Sequence, residues 1–167
     1  MKLIEMYSTE VVAAVRSGEV DFGLCSGMTD TFDCERTLYR RDTLVLATPK
    51  DHHLITRDSV TLKDIIKEDF VSLQNGSAIQ ALVDAQANQL GNPIKTKIEV
   101  MSFDGVRRMV EAGLGVAILP FSALKDSNLA MITINEPWAQ RDLIIVTKPG
   151  VKLGQAARAM LHCFLGE

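Results

Sequence analysis

The sequence predicts an α/β protein made of two lobes, and three observations support this prediction. Short apolar runs alternate three times with stretches whose apolar residues recur at helical spacing, the pattern of β-α-β units. The 167 residues, 47% of them hydrophobic and 23% charged, suffice for two small lobes with real cores. The order of the elements assigns residues 49–131 to one lobe and residues 1–48 plus 132–167 to the other. The chain therefore passes twice from one lobe to the other. Two such connections form a hinge, and we expect a small ligand in the cleft beneath it.

The first lobe begins with the pattern of a β-α-β unit. Residues 2–7 (KLIEMY) are mostly apolar and predict a strand. Residues 8–18 predict a helix, because three valines share one face and a glycine follows. Residues 20–25 (VDFGLC) predict a short buried strand, which makes a parallel sheet the expectation here. Residues 35–49 predict two strands joined at Arg41–Asp42.

The second lobe carries the clearest helix signals of the chain. Thr61 and Asp64 form an approximate capping box at the start of a short helix. Ser77 and Gln80 form another at the start of the helix 77–90, which a glycine ends. The other elements predicted for this lobe are strands at 69–74, 94–101 and 116–120 and a helix at 102–113.

Two further strands and a helix complete the chain. The strands are predicted at 129–134 and 142–149 from their apolar runs. The final helix is predicted because its apolar residues share a face: Leu153, Ala156, Ala157, Met160, Leu161 and Phe164.

The charge balance argues against nucleic-acid binding by this chain alone. The chain has 18 Lys and Arg residues and 21 Asp and Glu residues, for a net charge of −3. Binding to the phosphates of a nucleic acid requires a basic surface. No apolar run reaches the roughly 18 residues of a membrane span, and the first residues lack a signal-peptide pattern. Three cysteines without a CxxC motif are typical of a reducing cytoplasm. Cys25 and Cys34 could pair as a redox switch, but core positions explain them better.

Residues 107–120 (RRMVEAGLGVAILP) combine a helix end, a tight turn and a buried strand. Gly113 suits the left-handed residue that follows a helix, and Pro120 ends the strand because proline has no N–H to donate. We interpret Gly113 and Gly115 as turn-forming rather than ligand-binding, because so short a turn needs backbone angles that only glycine adopts cheaply.

Five segments, in order, resemble the effector-binding domain of LysR-type transcriptional regulators. They are VVAAVRSGEVDFGL, LVLATPKDHHL, FVSLQNGSAIQALVD, VRRMVEAGLGVAILP and LIIVTKPGVKLGQAARAMLHCFL. The resemblance implies a two-lobed fold like the type II periplasmic binding proteins. It also implies a cytoplasmic sensor that binds a small effector between its lobes, forms a homodimer or higher homo-oligomer, and needs no cofactor. DNA would be bound only through a winged helix-turn-helix, which this sequence does not contain.

The first lobe departs from the family pattern, because the family's initial strand and helix have no counterpart here. Residues 2–7 then have two alternatives: they pair directly with residues 20–25, or both segments keep open edges, and open apolar edges recruit other chains. We therefore expect a first lobe that is rearranged or completed by a partner chain.

The resemblance also places candidate effector-binding residues at strand ends and helix starts. These candidates are Thr48, Gly76, Ser77, Ser102, Phe103, Cys25 and Ser26. A helix N-terminus offers free N–H groups and partial positive charge, so the effector is expected to be an anion. The alternative for Ser77 and Ser102 is a purely structural N-cap, and for Thr48 a strand threonine that bonds to its neighbours.

Enzyme and metal sites find little support in the sequence. No HExxH, GxSxG, GxGxxG or phosphate-binding loop motif occurs. His52 and His53 lie in a polar stretch that predicts solvated side chains, and the acidic loop at 30–35 lacks the spacing of a calcium loop. We expect no enzymatic activity, no metal and no membrane association; the main alternative function is a stand-alone solute-binding protein of the same fold.

Overall fold

A computed structural model describes residues 2–166 of the chain. The chain divides into two compact units, Met1–Arg41 with Arg141–Glu167 and Asp42–Gln140. The boundaries therefore lie at 41/42 and 140/141 rather than at the expected 48/49 and 131/132. The reason lies in one long strand, Glu35–Thr48, which runs unbroken past Arg41 where the sequence predicted two joined strands.

Eight strands and five helices follow one another along the described residues. The strands are β1 (Phe22–Ser26), β2 (Glu35–Thr48), β3 (Ser59–Val60), β4 (Phe70–Leu73), β5 (Thr96–Val100), β6 (Ala117–Pro120), β7 (Ala130–Ile134) and β8 (Gln140–Thr147). The helices are α1 (Ser8–Ser17), α2 (Leu62–Ile65), α3 (Ala78–Gln89), α4 (Phe103–Glu111) and α5 (Gln155–Leu165). Within residues 2–166, none of these helices is long and apolar enough to cross a lipid bilayer.

The first unit packs α1 against a small antiparallel sheet. Strand β1 pairs with β8 from Phe22↔Thr147 to Ser26↔Leu143, and β8 lies next to β2. Gly23 lets α1 approach closely, because a Cβ at this position would clash with a methyl group of Val11. The core comprises Val11, Val12, Val15, Cys25, Cys34, Ile144 and Val146.

Residues 2–7 form no strand, so the predicted parallel β-α-β unit of the first lobe is wrong. A strand needs a hydrogen-bonded neighbour, and the pairing partner of β1 is the antiparallel β8. The segment also buries only part of its apolar surface, since Leu3 is 81% exposed whereas Met6 packs against the core. Completion of this lobe by a partner chain stays a prediction.

The second unit contains the predicted β-α-β-α-β block, which is confirmed. Strand β4 pairs in parallel with β5, and a parallel bridge between Phe70 and Val116 joins β4 to the start of β6. On its other side β6 pairs antiparallel with β2. Strand β2 also pairs with β7, and β7 pairs with β3. Its core is mostly aliphatic, as the low aromatic content predicts.

The turn between α4 and β6 confirms the structural role of its glycines. Gly113 has a φ of +75°, the left-handed conformation expected after a helix. A Cβ on Gly115 would lie 2.5 Å from the backbone oxygen of Asp69. That oxygen accepts a 2.9 Å hydrogen bond from the Val116 N–H, so the glycine allows β6 to start directly beside β4.

Candidate functional site

The starts of α3 and α4 lie at the same edge of the second unit. Each helix follows one of the two parallel strands β4 and β5, whose carboxyl ends meet at one edge of the sheet. The Gln74 N–H donates a 3.0 Å hydrogen bond to the Val100 oxygen, which ties the two strand ends together. The structure therefore brings Gly76–Ser77 and Ser102–Phe103, two of the expected effector-binding positions, to one edge.

The order of the strands identifies a topological switch point at this edge, a place where successive crossover connections leave in opposite directions. The chain passes from β4 through α3 to β5 on one side, and then through α4 to β6 on the other side of β4. Because such crossovers are right-handed, the two helices lie on opposite faces of the sheet. Open α/β sheets bind ligands at the carboxyl ends of the strands where the crossovers diverge, which here are β4 and β6.

Ser77 caps α3 and keeps a donor for a ligand. Its Oγ accepts a hydrogen bond of 3.4 Å from the Gln80 N–H, and the hydroxyl proton can still be donated outward. The predicted capping box is only half formed, because the Gln80 side chain accepts from the Leu73 N–H instead. Gly76, with a φ of +105°, makes the turn before the cap, and no acidic residue lies in the first turn of α3.

Ser102 caps α4 in the same way. Its Oγ accepts a 3.1 Å hydrogen bond from the Gly105 N–H, and Phe103 beside it is 40% exposed. Asp104 in the first turn would repel an anion, but Arg107 and Arg108 each hold one of its carboxylate oxygens at 2.8 Å. Those ion pairs hold the pKa of Asp104 below its ordinary value.

A buried carboxylate at the same edge was missed by the sequence analysis. The Ser122 hydroxyl donates a 3.0 Å hydrogen bond to Asp42 Oδ2, and the Thr43 N–H donates a 2.9 Å bond to Asp42 Oδ1. The antiparallel pair Leu44↔Pro120 places this group beside the carboxyl end of β6. The sequence places Ser122 just after a predicted strand, but it does not show that β2 pairs with β6, so it could not predict the contact between Asp42 and Ser122.

Thr48 lies at the opposite edge of the same sheet. Since β2 runs antiparallel to β6, with Ala47↔Ala117, the end of β2 faces the amino ends of β4 and β6. The Thr48 side chain is fully buried, and its hydroxyl donates a 3.1 Å hydrogen bond to the Pro49 oxygen. The structure does not bring Thr48 together with the starts of α3 and α4.

Cys25 and Ser26 belong to the first unit, at the end of β1. Burial raises the pKa of the Cys25 thiol to about 11, so the thiol is protonated at neutral pH. The Ser26 N–H donates to Ser8 Oγ at 3.2 Å, and its own Oγ accepts from the Met28 N–H at 3.4 Å. Both side chains serve the packing of this unit, Cys25 as a member of its core.

We expect this burial to separate the three cysteines by their reactivity. With iodoacetamide at pH 8, Cys163 should be alkylated at the rate of an exposed thiol, because it is the exposed member of the set. Cys25 and Cys34 are buried with raised pKa values and should react only after unfolding. Mass spectrometry of tryptic peptides measures the three rates, and alkylation of Cys25 as fast as Cys163 would contradict the described core.

A small cavity lies beneath this edge of the second unit. The cavity lined by Leu73, Gln80, Val106 and Ile118, among others, measures about 10 Å³. That volume holds at most one water, so a ligand at this edge binds at its surface.

Comparisons with known proteins match the whole chain. The sequence profile described as LysR substrate binding domain covers residues 1–167. A probable RuBisCO transcriptional regulator of Cyanophora paradoxa is 31% identical over 89% of this chain and 46% of its own length. The transcriptional regulator CysL of Bacillus subtilis is 26% identical over 84% of this chain and 48% of its own length. The chain thus spans about half the length of the curated relatives it matches, and these relatives are named as regulators, not enzymes.

Solved structures show the same fold at low sequence identity. The effector-binding domain of QuiR, in complex with shikimate, has a TM-score of 0.82 and 20% identity over 96% of this chain and 78% of its own. The regulatory domain of Synechocystis CcmR, in complex with 2-PG, has a TM-score of 0.85 and 17% identity over 96% of this chain and 79% of its own. These similarities confirm the predicted two-lobed, periplasmic-binding-protein-like fold.

Proposed function

Because this chain belongs to the LysR substrate-binding-domain family, the effector-binding part of LysR-type transcriptional regulators, we propose that it binds a small anionic effector at the carboxyl edge of β4 and β6. The observation that carries the proposal is the meeting of two helix N-termini, capped by Ser77 and Ser102, at this one edge. A helix N-terminus stabilises a negative charge by about 0.3–1 kcal/mol at the surface and about 2 kcal/mol when partly buried.

The start of α3 is the better position for the anionic group. Its first turn carries no acidic side chain, whereas α4 has Asp104 in its first turn. Gly76 leaves the backbone open to close approach, and the Ser77 hydroxyl adds a donor. Two or three N–H and O–H donors around one carboxylate or phosphate form charge-assisted hydrogen bonds, the stronger kind.

In the regulator, effector binding would shift the population of conformations and so change the affinity for operator DNA. We propose that this chain acts as part of a homodimer or higher homo-oligomer in the cytoplasm. Its contact with DNA would pass through winged helix-turn-helix domains outside the sequence described here. The names of its relatives support this role, because they are transcriptional regulators.

A thermal-shift screen tests the proposal with small carboxylates and phosphates, including the two ligands named in the structural neighbours. We expect at least one anion to raise the melting temperature in a concentration-dependent way, and its neutral amide or alcohol analogue to have no effect. The absence of any shift across the panel would contradict effector binding by this chain.

The solute-binding alternative predicts a different result with the full-length protein. For a regulator, the same anion changes the affinity of the full-length protein for its operator DNA. For a stand-alone solute-binding protein, the anion binds without any such effect. A fluorescence-anisotropy titration with and without the anion separates the two functions.

A further inference from the structure

Three metal-ligating side chains converge in the second unit, away from the starts of α3 and α4. His53 Nε2 lies 3.1 Å from Glu68 Oε1, and His52 Nε2 lies 3.5 Å from Glu68 Oε2. The two imidazole rings lie against each other with their centroids 4.3 Å apart. All three ligand atoms lie within 4.8 Å of one another, whereas the polar sequence around the histidines predicted solvated side chains.

The fold holds both sides of this cluster in place. His52 and His53 start a 3₁₀ turn whose next residue, Leu54, is buried in the core of the unit. Glu68 follows α2, where its N–H donates a 3.0 Å hydrogen bond to the oxygen of the fully buried Ile65. The backbone on each side is therefore anchored, and the three side chains need only small movements to converge on one point.

We propose that His52, His53 and Glu68 bind a divalent transition metal ion of the zinc class. Two imidazole nitrogens and one carboxylate oxygen are a common zinc ligand set, whereas calcium and magnesium prefer oxygen ligands alone. Ligand bonds of about 2.0–2.1 Å in a tetrahedral site separate neighbouring ligand atoms by roughly 3.3 Å. The two histidine nitrogens lie 3.1 and 3.5 Å from different oxygens of Glu68, and one ligand atom from each of the three residues lies within 4.8 Å of the others, so modest movements of the side chains would complete the site.

The exposure of the side chains fits a site with an open coordination position. The side chains of His52 and Glu68 are 17% and 23% exposed, whereas that of His53 is 67% exposed. An ion can therefore enter from the side of His53, and water completes its coordination. Glu68 supplies one negative charge, and Asp51 directly precedes His52 in the chain.

The tautomer of His52 has to change when the metal binds. Its Nδ1 accepts a 3.3 Å hydrogen bond from the Leu54 N–H, so in the neutral ring the proton is on Nε2. Coordination through Nε2 displaces this proton to Nδ1 and gives up that one long hydrogen bond.

The cluster is separate from the proposed effector site. His52 and His53 follow the end of β2, and Glu68 precedes β4, so the cluster lies at the amino edge of the sheet. A bound metal would connect the segment after β2 to the segment before β4 and stabilise the unit. The inference does not depend on the proposed function, because neither site uses a residue of the other.

Isothermal titration calorimetry with Zn²⁺ tests the site in a Cys163→Ser background. That background is needed because Cys163 is exposed and adjoins His162, a competing pair of zinc ligands. We expect one ion per chain with a dissociation constant of about 1–10 µM, and no heat with Mg²⁺. His53→Ala and Glu68→Gln should each weaken binding at least about tenfold, because each removes one of three ligands.

His162→Ala is the matched control, since it removes a histidine outside the cluster and should leave the affinity unchanged. His53 is well exposed, so its loss leaves folding intact and the comparison stays interpretable. Failure to bind Zn²⁺ at about 100 µM overturns the inference. So does an affinity that His53→Ala leaves unchanged.

Discussion

Replacing Gly115 with alanine should lower the free energy of unfolding by about 2–3 kcal/mol. The new Cβ would lie 2.5 Å from the Asp69 oxygen, a backbone atom that no side-chain rotation can move. The same oxygen accepts the hydrogen bond from the Val116 N–H that starts β6 beside β4. Relief of the clash therefore separates the two strands whose carboxyl ends form the candidate effector site. Urea denaturation followed by circular dichroism measures the loss.

Two other glycines provide matched controls for this change. Gly113 has a left-handed φ of +75° but open space around a Cβ, so Gly113→Ala should cost only about 1 kcal/mol of backbone strain. Gly154, the N-cap of α5, has an ordinary φ of −61° and open space, so Gly154→Ala should cost only about 0.5 kcal/mol through the poorer cap. Equal stability of the Gly115→Ala and Gly113→Ala variants would show that the close approach to Asp69 is not what constrains this turn.

Replacing Ser77 with aspartate should weaken binding of the anionic effector at least about tenfold, or by about 1.4 kcal/mol. Two like charges about 4 Å apart repel by roughly 4 kcal/mol at an effective dielectric constant of about 20, and solvent screening reduces this figure. The helix itself should tolerate the change, because aspartate is as good an N-cap as serine and its charge suits the helix dipole. Calorimetric titration with the anion that gives the largest thermal shift measures the loss.

The variant Ser77→Asn distinguishes the effect of the aspartate charge on anion affinity from the effect of its size. Asparagine has the size of aspartate and caps a helix equally well, but it is neutral. We expect both variants to keep the free energy of unfolding within about 0.5 kcal/mol of the parent, while only the aspartate loses most of the affinity. Equal affinities of the two variants would mean that no anionic group binds at the start of α3.

The second unit was predictable from the sequence because its signals are local. The helix that begins after Ser77 buries Ile79, Leu82, Val83 and Ala87, the residues at helical spacing. Its cap and the glycine turn before β6 likewise depend only on neighbours in the chain. These elements fall within a few residues of the predicted bounds.

The first unit was less predictable because a strand depends on its partner. Residues 2–7 have the composition of a strand, but composition does not supply the neighbouring chain that would accept their hydrogen bonds. The boundary between the units was also misplaced, because the chain passes from one unit to the other at Arg41, within β2, and not after the strand ends at Thr48.

Only those parts of the candidate site that depend on neighbouring residues in the chain could be predicted from the sequence. The positions of Ser77 and Ser102 follow from helix starts, which the sequence marks with capping residues. Asp42 meets Ser122 only because β2 and β6 pair antiparallel, and that register also carries Thr48 to the far edge. The His53–Glu68 contact likewise joins segments that the sequence keeps apart.

The central claim is that anions bind where α3 and α4 begin, and an NMR titration of the ¹⁵N-labelled chain with inorganic phosphate tests it most directly. The amide signals of residues 77–79 and 102–104 should shift most. The start of α5, which also has no acidic residue in its first turn, serves as an internal control and should shift much less. Equal shifts at the starts of α3, α4 and α5, or none at α3 and α4, would contradict the proposed site.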